Sequence, residues 1–387
     1  MKLKNKQLRT YQSGNKVTFT KGGKEYFDAL LRIINNAKNI IHLHTYILVA
    51  DETGRMVVGA LMDAVKRGVQ VYLLIDAYGS RGLSRGFVSE IINSGINFRY
   101  FAPLISSEGL HLGRRLHQKI IVADFETALI GGINIADRYR GVGEQKPWLD
   151  FSILINGNIC NEISIICSRF WKRKFITKKI RVQKRIGSDY PMIRIRRNDW
   201  MRRKSQISKS YKEAFTAAEK SITIVGAYFL PSRRLRKLIK SAIRRGVSVK
   251  IIISQKSDEL VFGLAMDYLY GWLFKNGAQI YEYCPSVVHG KAAVVDNKWL
   301  TIGSHDLNFL STYGLIETNV DVLDNDMAVE FNQYLEKIID NDCRKITIEK
   351  FQKKWMFQGL LSWLAYYFMR ISQWLVVFLT RKGVDYE

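Results

Sequence analysis

Two stretches of this chain place a histidine two residues before a lysine, with an aspartate and a glycine pair at fixed distances beyond. They read HQKIIVADFETALIGGIN (117–134) and VVHGKAAVVDNKWLTIGS (287–304). Both fit His-x-Lys-x4-Asp-x6-Gly-(Gly/Ser): His117, Lys119, Asp124, Gly131 and Gly132 in one, His289, Lys291, Asp296, Gly303 and Ser304 in the other, with the histidines 172 residues apart. Imidazole acts as nucleophile or general acid/base near neutral pH. Two of them flanking one centre suit phosphodiester exchange. One neutral histidine attacks phosphorus while the other, protonated, hands its proton to the leaving alkoxide. A phosphohistidine forms, and the second histidine then deprotonates the incoming nucleophile. Acid–base help supplies roughly 10²–10⁴-fold, so charge stabilisation of the phosphoryl oxygens must supply the rest.

Lys119 and Lys291, on the histidines' strand faces, can provide that charge. Asn134 and Ser304 can donate hydrogen bonds to the same oxygens, and Gly131, Gly132 and Gly303 let backbone approach the substrate. The scheme requires no divalent metal and no cofactor. Asp124 and Asp296 fall five residues past each lysine, and extended chain rises about 3.3 Å per residue. Spacing therefore assigns them to turns or salt bridges. Each histidine still needs a carboxylate to orient it. Asp150 in WLDFSIL and Glu317 in LIETNVDV are the candidates, on predicted strands after their respective hairpins.

The elements that must position these residues also occur twice. DAVKRGVQVYLLI (63–75) and SAIRRGVSVKIII (241–253) each read as a helix end, a C-capping glycine and a buried strand. HTYIL (44–48) matches GAYFL (226–230) through Tyr46 and Tyr228, which makes both tyrosines candidate substrate contacts. Each half thus runs strand, helix, strand, then the His-Lys hairpin: one α/β unit, duplicated, with a single centre at a pseudo-twofold interface. The expected organisation is a first half over 1–175, a basic linker over 176–204, a second half over 205–348 and a tail over 349–387. From Lys172 to Lys204 there are 14 Lys/Arg and two acidic residues.

The chain has 387 residues, 47% of them hydrophobic, and a formal charge of +25. That composition excludes a disordered chain and suggests a polyanionic partner, either nucleic acid or anionic lipid. The four cysteines show no metal-ligand pairing and read as free thiols. The first 16 residues hold no signal-type apolar run.

The doubled motif resembles the paired HKD motifs of the phospholipase D superfamily over roughly residues 25–345. GGINIADRY followed by WLD, and AYFLPS followed by RRGV, resemble bacterial cardiolipin synthases of the shorter type without N-terminal membrane-spanning helices. The resemblance implies a duplicated phospholipase D-like α/β/α sandwich with two mixed-sheet halves. It implies transfer of a phosphatidyl group from phosphatidylglycerol to a second phosphatidylglycerol or similar lipid, with release of glycerol or another headgroup alcohol. It makes His117 the nucleophile and His289 the acid/base, groups Asp124 and Asp296 with the catalytic motif, and matches Glu317 to a downstream acid. One departure stands out: the family commonly reads Gly-Ser-x-Asn with an Asp two residues later, whereas Asp306 holds the Asn position here and Asn308 follows.

Of the remaining histidines, His42 and His44 read as core or cleft-wall residues, His111 falls in a loop beside Arg114 and Arg115 that could meet lipid phosphate, and His305 stands outside the catalytic set. The segment MFQGLLSWLAYYFMRISQWLVVFL (356–379) is apolar and aromatic but interrupted by Arg370. It reads as an interfacial or re-entrant helix pair with basic flanks. The expected partners are anionic phospholipids, phosphatidylglycerol and cardiolipin, at the cell membrane, with a peripheral or monotopic chain on the cytoplasmic side. Hydrolysis by the same fold, a nuclease of the superfamily and a non-catalytic lipid binder are the alternatives. Nucleic acid offers the apolar tail nothing to bury against, and a mere binder has no need of both His-Lys pairs. Oligomeric state is left open.

Overall fold

A computed structural model describes residues 1, 3–103, 105–106, 109–110, 114–171, 190–199 and 204–382. After the short helix α1 (Asn5–Leu8), the first half runs β1 (Asn15–Lys21), α2 (Lys24–Asn36), β2 (Ile40–Thr45), α3 (Glu52–Lys66), β3 (Gln70–Asp76), α4 (Arg85–Asn93) and β4 (Asn97–Phe101). A small ribbon, β5 (Ile105–Ser106) and β6 (Gly109–Leu110), precedes β7 (Arg115–Leu116). The first hairpin is β8 (Lys119–Ala123) and β9 (Thr127–Gly131), followed by α5 (Asp137–Arg140), β10 (Phe151–Gly157) and α6 (Ile159–Ser168).

The second half opens with β11 (Met192–Asp199) and β12 (Lys204–Ser205) and continues through α7 (Gln206–Ala217), β13 (Ser221–Gly226), α8 (Arg233–Arg244), β14 (Ser248–Ser254), α9 (Leu260–Lys275) and β15 (Gln279–Tyr283). Its hairpin is β16 (Lys291–Val295) and β17 (Trp299–Gly303). Then come α10 (Phe309–Tyr313), β18 (Leu315–Leu323), α11 (Asn325–Asp342), β19 (Cys343–Lys345) and the long α12 (Ile348–Lys382).

The two sheets share one order, strand for strand. The first runs β1-β10-β9-β8-β2-β3-β4 and the core of the second β11-β18-β17-β16-β13-β14-β15, with β12 and β19 added at its edges. In each, two parallel pairings beside antiparallel hairpins make the sheet mixed. The correspondence makes β11 the counterpart of β1. The basic run expected as a linker therefore already contains a strand of the second sheet, Met192–Asp199, whose Arg194 is buried against Asp321 at 2.9 Å. Residues 172–189 and 200–203 of that run, and His111, lie outside the described residues.

The hairpin strands are buried on both faces, which explains their continuous β-branched and Ala runs. Their inner faces meet in one apolar core: Ile120, Val122 and Ile130 from the first sheet pack with Val294, Leu300 and Ile302 from the second, together with α6 and α11. Outer cores lie under α2 and α3 on one side and under α7, α8 and α9 on the other. This layered arrangement brings the open ends of the two hairpins together.

Candidate active site

Each motif histidine rests on a strand of the opposite half. The short β7 adds in parallel to β18, and the His117 N–H donates to the Ile316 carbonyl at 3.0 Å. Conversely, the N–H groups of His289 and Gly290 both donate to the Leu149 carbonyl at 2.8 Å. The residue after each accepting carbonyl is a buried acid. Glu317 follows Ile316 and sets Oε1 3.0 Å from His117 Nδ1, and Asp150 follows Leu149 and sets Oδ2 2.6 Å from His289 Nδ1. The sequence reading names both carboxylates. The structure adds that they cross: each serves the histidine of the other half. With Nδ1–H given to a carboxylate, Nε2 carries the lone pair for chemistry.

Lys119 and Lys291 are buried beside them. Lys119 Nζ donates to the His117 carbonyl at 2.7 Å, Lys291 Nζ to that of His289, and each ammonium keeps further donors for an anion. Burial shapes the electrostatics. It pushes Glu317 and Asp150 up to about 7 and Lys119 down to about 7, and it holds both histidines well below the ordinary imidazole value, with the neighbouring lysines adding to the effect. The imidazoles are therefore neutral in the empty site. An anionic phosphoryl group beside them favours protonation, and the paired carboxylate stabilises the cation that forms.

Aromatic walls complete the centre. The Tyr46 ring lies 4.9 Å from the His117 ring, and Lys119 Nζ sits 5.3 Å over Tyr46. Tyr139 and Trp148 flank His289 at 5.0 and 5.9 Å, with the Arg138 guanidinium over Trp148. The sequence reading missed Tyr139 and Trp148, although both sit in the quoted DRY and WLD segments.

Several expected substrate contacts occupy other posts. Asp124 accepts from the N–H groups of Lys38, Asn39 and Ile40, and Asp296 from those of Glu219, Lys220 and Ser221. Both lie at the far ends of β8 and β16 in left-handed turns (φ 54° each), which takes them out of the group facing the histidines. Asn134 accepts from Ile47 N–H and donates to the Tyr139 hydroxyl at 2.9 Å, while Ser304 donates to Glu317 and accepts from Thr318 N–H. They hold the framework rather than offer free donors. A Cβ on Gly132 would lie 2.5 Å from the Asp150 carboxylate, one on Gly303 would lie 2.4 Å from the Thr318 carbonyl, and one on Gly131 would lie 2.4 Å from the Phe151 carbonyl. These glycines admit the carboxylate-bearing strands, not the substrate. The Tyr228 hydroxyl donates to Asp258 at 2.6 Å. Arg114 pairs with Asp199 at 2.8 Å, and Arg115 is buried against the Ala102 carbonyl, so neither is a solvated phosphate ligand. His42 and His44 are core residues: His42 stacks on Tyr72, and His44 Nδ1 is bonded to Gln118. Asp306 is 3% exposed, its Oδ1 is 3.7 Å from Lys291 Nζ, and burial raises its carboxyl.

Comparisons with known proteins bear on this arrangement. The family model described as "Cardiolipin synthase, PLD-like domain" matches residues 30–142 and 211–339. The chain is 32% identical over 372 residues to cardiolipin synthase B of Salmonella typhi, covering 93% of this chain and 89% of that protein. It is 28% identical over 348 residues to the cardiolipin synthase of Listeria monocytogenes, covering 88% of this chain and 72% of that protein. Among solved structures, it is similar in fold to phosphatidylserine synthase of Haemophilus influenzae, with a TM-score of 0.73 at 14% identity, over 96% of this chain and 97% of that one.

Proposed function

The chain belongs to the cardiolipin synthase family of phospholipase D-like proteins, and from that premise we propose the following reaction at the paired histidines. His117 Nε2 attacks the phosphorus of one phosphatidylglycerol. The bond from phosphorus to the headgroup oxygen breaks, and His289 Nε2–H protonates the departing oxygen, so glycerol leaves and the phosphatidyl group stays on His117. His289, now neutral, takes the proton from a headgroup hydroxyl of a second phosphatidylglycerol. That oxygen attacks phosphorus, the bond to His117 breaks, and cardiolipin departs. Lys119 and Lys291 hold the phosphoryl charge throughout. Glu317 and Asp150 keep each ring in the tautomer that presents Nε2.

The single observation carrying this reading is the crossed pair of buried His–carboxylate contacts, each beside a buried lysine. The test incubates the protein with phosphatidylglycerol in mixed micelles plus a chelator and resolves the products. Cardiolipin with equimolar glycerol is expected. Phosphatidic acid alone would assign hydrolysis, with water as the acceptor, and absence of any turnover would sink the reading.

The lipid substrate calls for a chain at a membrane surface. The tail is one continuous 35-residue helix, α12, rather than a helix pair. Ala365, Tyr366, Ser362 and Gln373 are buried, and Tyr366 stacks on Tyr268 of α9. Arg370 folds back onto Tyr366, its Nη1 3.1 Å from the hydroxyl. The other face exposes Met356 (76%), Leu360 (72%), Leu364, Phe368 and Ile371. No described helix is long and apolar enough to cross a membrane. An apolar helix stripe with Trp355, Trp363 and Trp374 exposed along it suits a helix lying in the headgroup region. The charge of +25 favours an anionic surface such as the cytoplasmic leaflet.

A further inference from the structure

A second cavity, of about 730 Å³, lies between α1, α7, the start of α8 and α10. Lys4, Lys209, Lys212 and Arg234 line it, and none of the four has a carboxylate partner among the described residues. The one acid in the wall, Glu213, is spent on Arg194 at 2.8 Å and Arg196 at 3.6 Å. The cavity is thus a concave surface with four uncompensated cations and no free anion, which is the electrostatic profile of a site for phosphate.

His305 supplies an independent pointer. It belongs to the cavity wall, is 2% exposed, and its Nδ1 has no hydrogen-bond partner. Burial pushes its pKa down to about 4, and its other ring nitrogen is turned to the main chain of Ser311. A neutral imidazole whose Nε2–H is so engaged presents Nδ1 as an acceptor, and a buried acceptor left unmet costs free energy. Phosphate oxygens cannot satisfy it, but a hydroxyl can.

We propose that this cavity is a second headgroup site, separate from the His117–His289 centre, which takes a phosphate group bearing free hydroxyls, such as a phosphoglycerol headgroup. Its position fits a holding site for the second lipid, a role that rests on the transferase reading. His305 stands between Ser304 and Asp306 of the reaction centre, so the cavity and the centre share one short segment. The neighbouring α10 packs on α12, the helix with the apolar outer face, so acyl chains can stay at that surface while the headgroup is held.

The test measures binding without turnover, in the full chain carrying His117→Ala. Glycerol 3-phosphate, inorganic phosphate and phosphatidylglycerol in nanodiscs are titrated into this protein and into a version with Lys212→Glu and Arg234→Glu, both exposed positions. A control carries Lys240→Glu and Arg244→Glu, the same charge change elsewhere on α8. The cavity pair should weaken binding of the headgroup roughly tenfold or more, and the control should not. Loss for glycerol 3-phosphate and lipid alike means the headgroup suffices. Loss for the lipid alone assigns the site to membrane-held headgroups. Equal binding by cavity and control versions overturns the site, and so does inorganic phosphate binding as tightly as glycerol 3-phosphate. Failure of the transferase reading is distinguishable, since it shows as absent cardiolipin whatever the binding result.

Discussion

Glu317 Oε1 lies 3.0 Å from Nδ1 of His117, across 200 residues of sequence, and the same histidine's N–H is bonded to the carbonyl of the residue just before that glutamate. Asp150 and His289 repeat the relationship in the opposite sense at 2.6 Å. Neither half contains a complete histidine unit of its own.

Replacing the orienting acids should therefore cost rate rather than affinity. Glu317→Gln and Asp150→Asn should each lower kcat by roughly 10²–10⁴-fold with little change in KM. An amide offers its NH₂ to the ring and favours the wrong tautomer. With a p-nitrophenyl phosphodiester, whose leaving group needs no acid, Asp150→Asn should keep near-normal nitrophenol release while Glu317→Gln stays slow. Equal slowing of both would refute the division of labour between the histidines.

The same activated donor identifies the nucleophile. In His289→Ala, the first step proceeds without its acid but no base activates the acceptor, so a phosphoenzyme should accumulate. Intact-mass measurement and phosphorus NMR should place the group on His117. Label found on another residue would exclude His117 as nucleophile.

Activity should be confined to a narrow range around neutral pH. Glu317 and Asp150, both raised to about 7 by burial, lose the charge that orients the rings as pH falls below that value. Lys119, lowered to about 7, loses its own charge as pH rises above it. The profile of kcat/KM, which reports the free enzyme, should be bell-shaped with both limbs near 7. Lys119→Arg should move the alkaline limb upward, because guanidinium does not titrate there. An unshifted limb in that variant would remove Lys119 from the assignment.

Asp124 and Asp296 should matter for stability first. Asp296→Asn leaves three N–H groups facing a weaker acceptor, a loss of about 1.5–3 kcal/mol read from urea denaturation. Folding holds this carboxyl below its ordinary value of about 3.8, because the N–H donors outweigh the burial that raises it. Its contribution is therefore present above 3.8 and lost as pH falls through the lower folded value. The gap between variant and parent should close in acid. At neutral pH the folded fraction should keep turning over, and complete loss of activity in stably folded protein would return these aspartates to the chemistry.

For the membrane face, truncation is a poor probe, since removing α12 would uncover α9. Leu360→Asp, Leu364→Asp and Phe368→Asp change only exposed positions. The triple variant should move from the pellet to the supernatant in sedimentation with anionic vesicles while keeping its circular dichroism. Undiminished pelleting would reject α12 as the anchor.

The hairpins, the repeat and both orienting acids are legible in the sequence because strand periodicity and motif spacing are local. The crossing is not, because no spacing tells which half's histidine a buried strand acid will meet. Gly132 and Ser304 look like phosphate contacts in one dimension, and only the register against β10 and β18 turns them toward Asp150 and Glu317. The strand Met192–Asp199 is hidden in a basic run because Arg194 reads as a surface cation, whereas Asp321 draws it into the interior. Tyr139 and Trp148 carry no charge or spacing that would mark them as neighbours of a histidine 140 residues or more away.

Asp306 has a consequence for the site as a whole. Relative to the family's usual order, the acid and the amide after Gly303-Ser304 have traded places, and Asn308 keeps the capping duty by accepting from Ser311 N–H at 2.8 Å. The trade conserves net charge but moves a negative group from a helix end to the flank of Lys291, whereas the matching position beside Lys119 is the neutral Asn134. Two halves that match strand for strand are thereby electrically unlike. The near-twofold pocket has a sense of direction built into it, with a bare cation on the nucleophile's side and a compensated one on the proton carrier's.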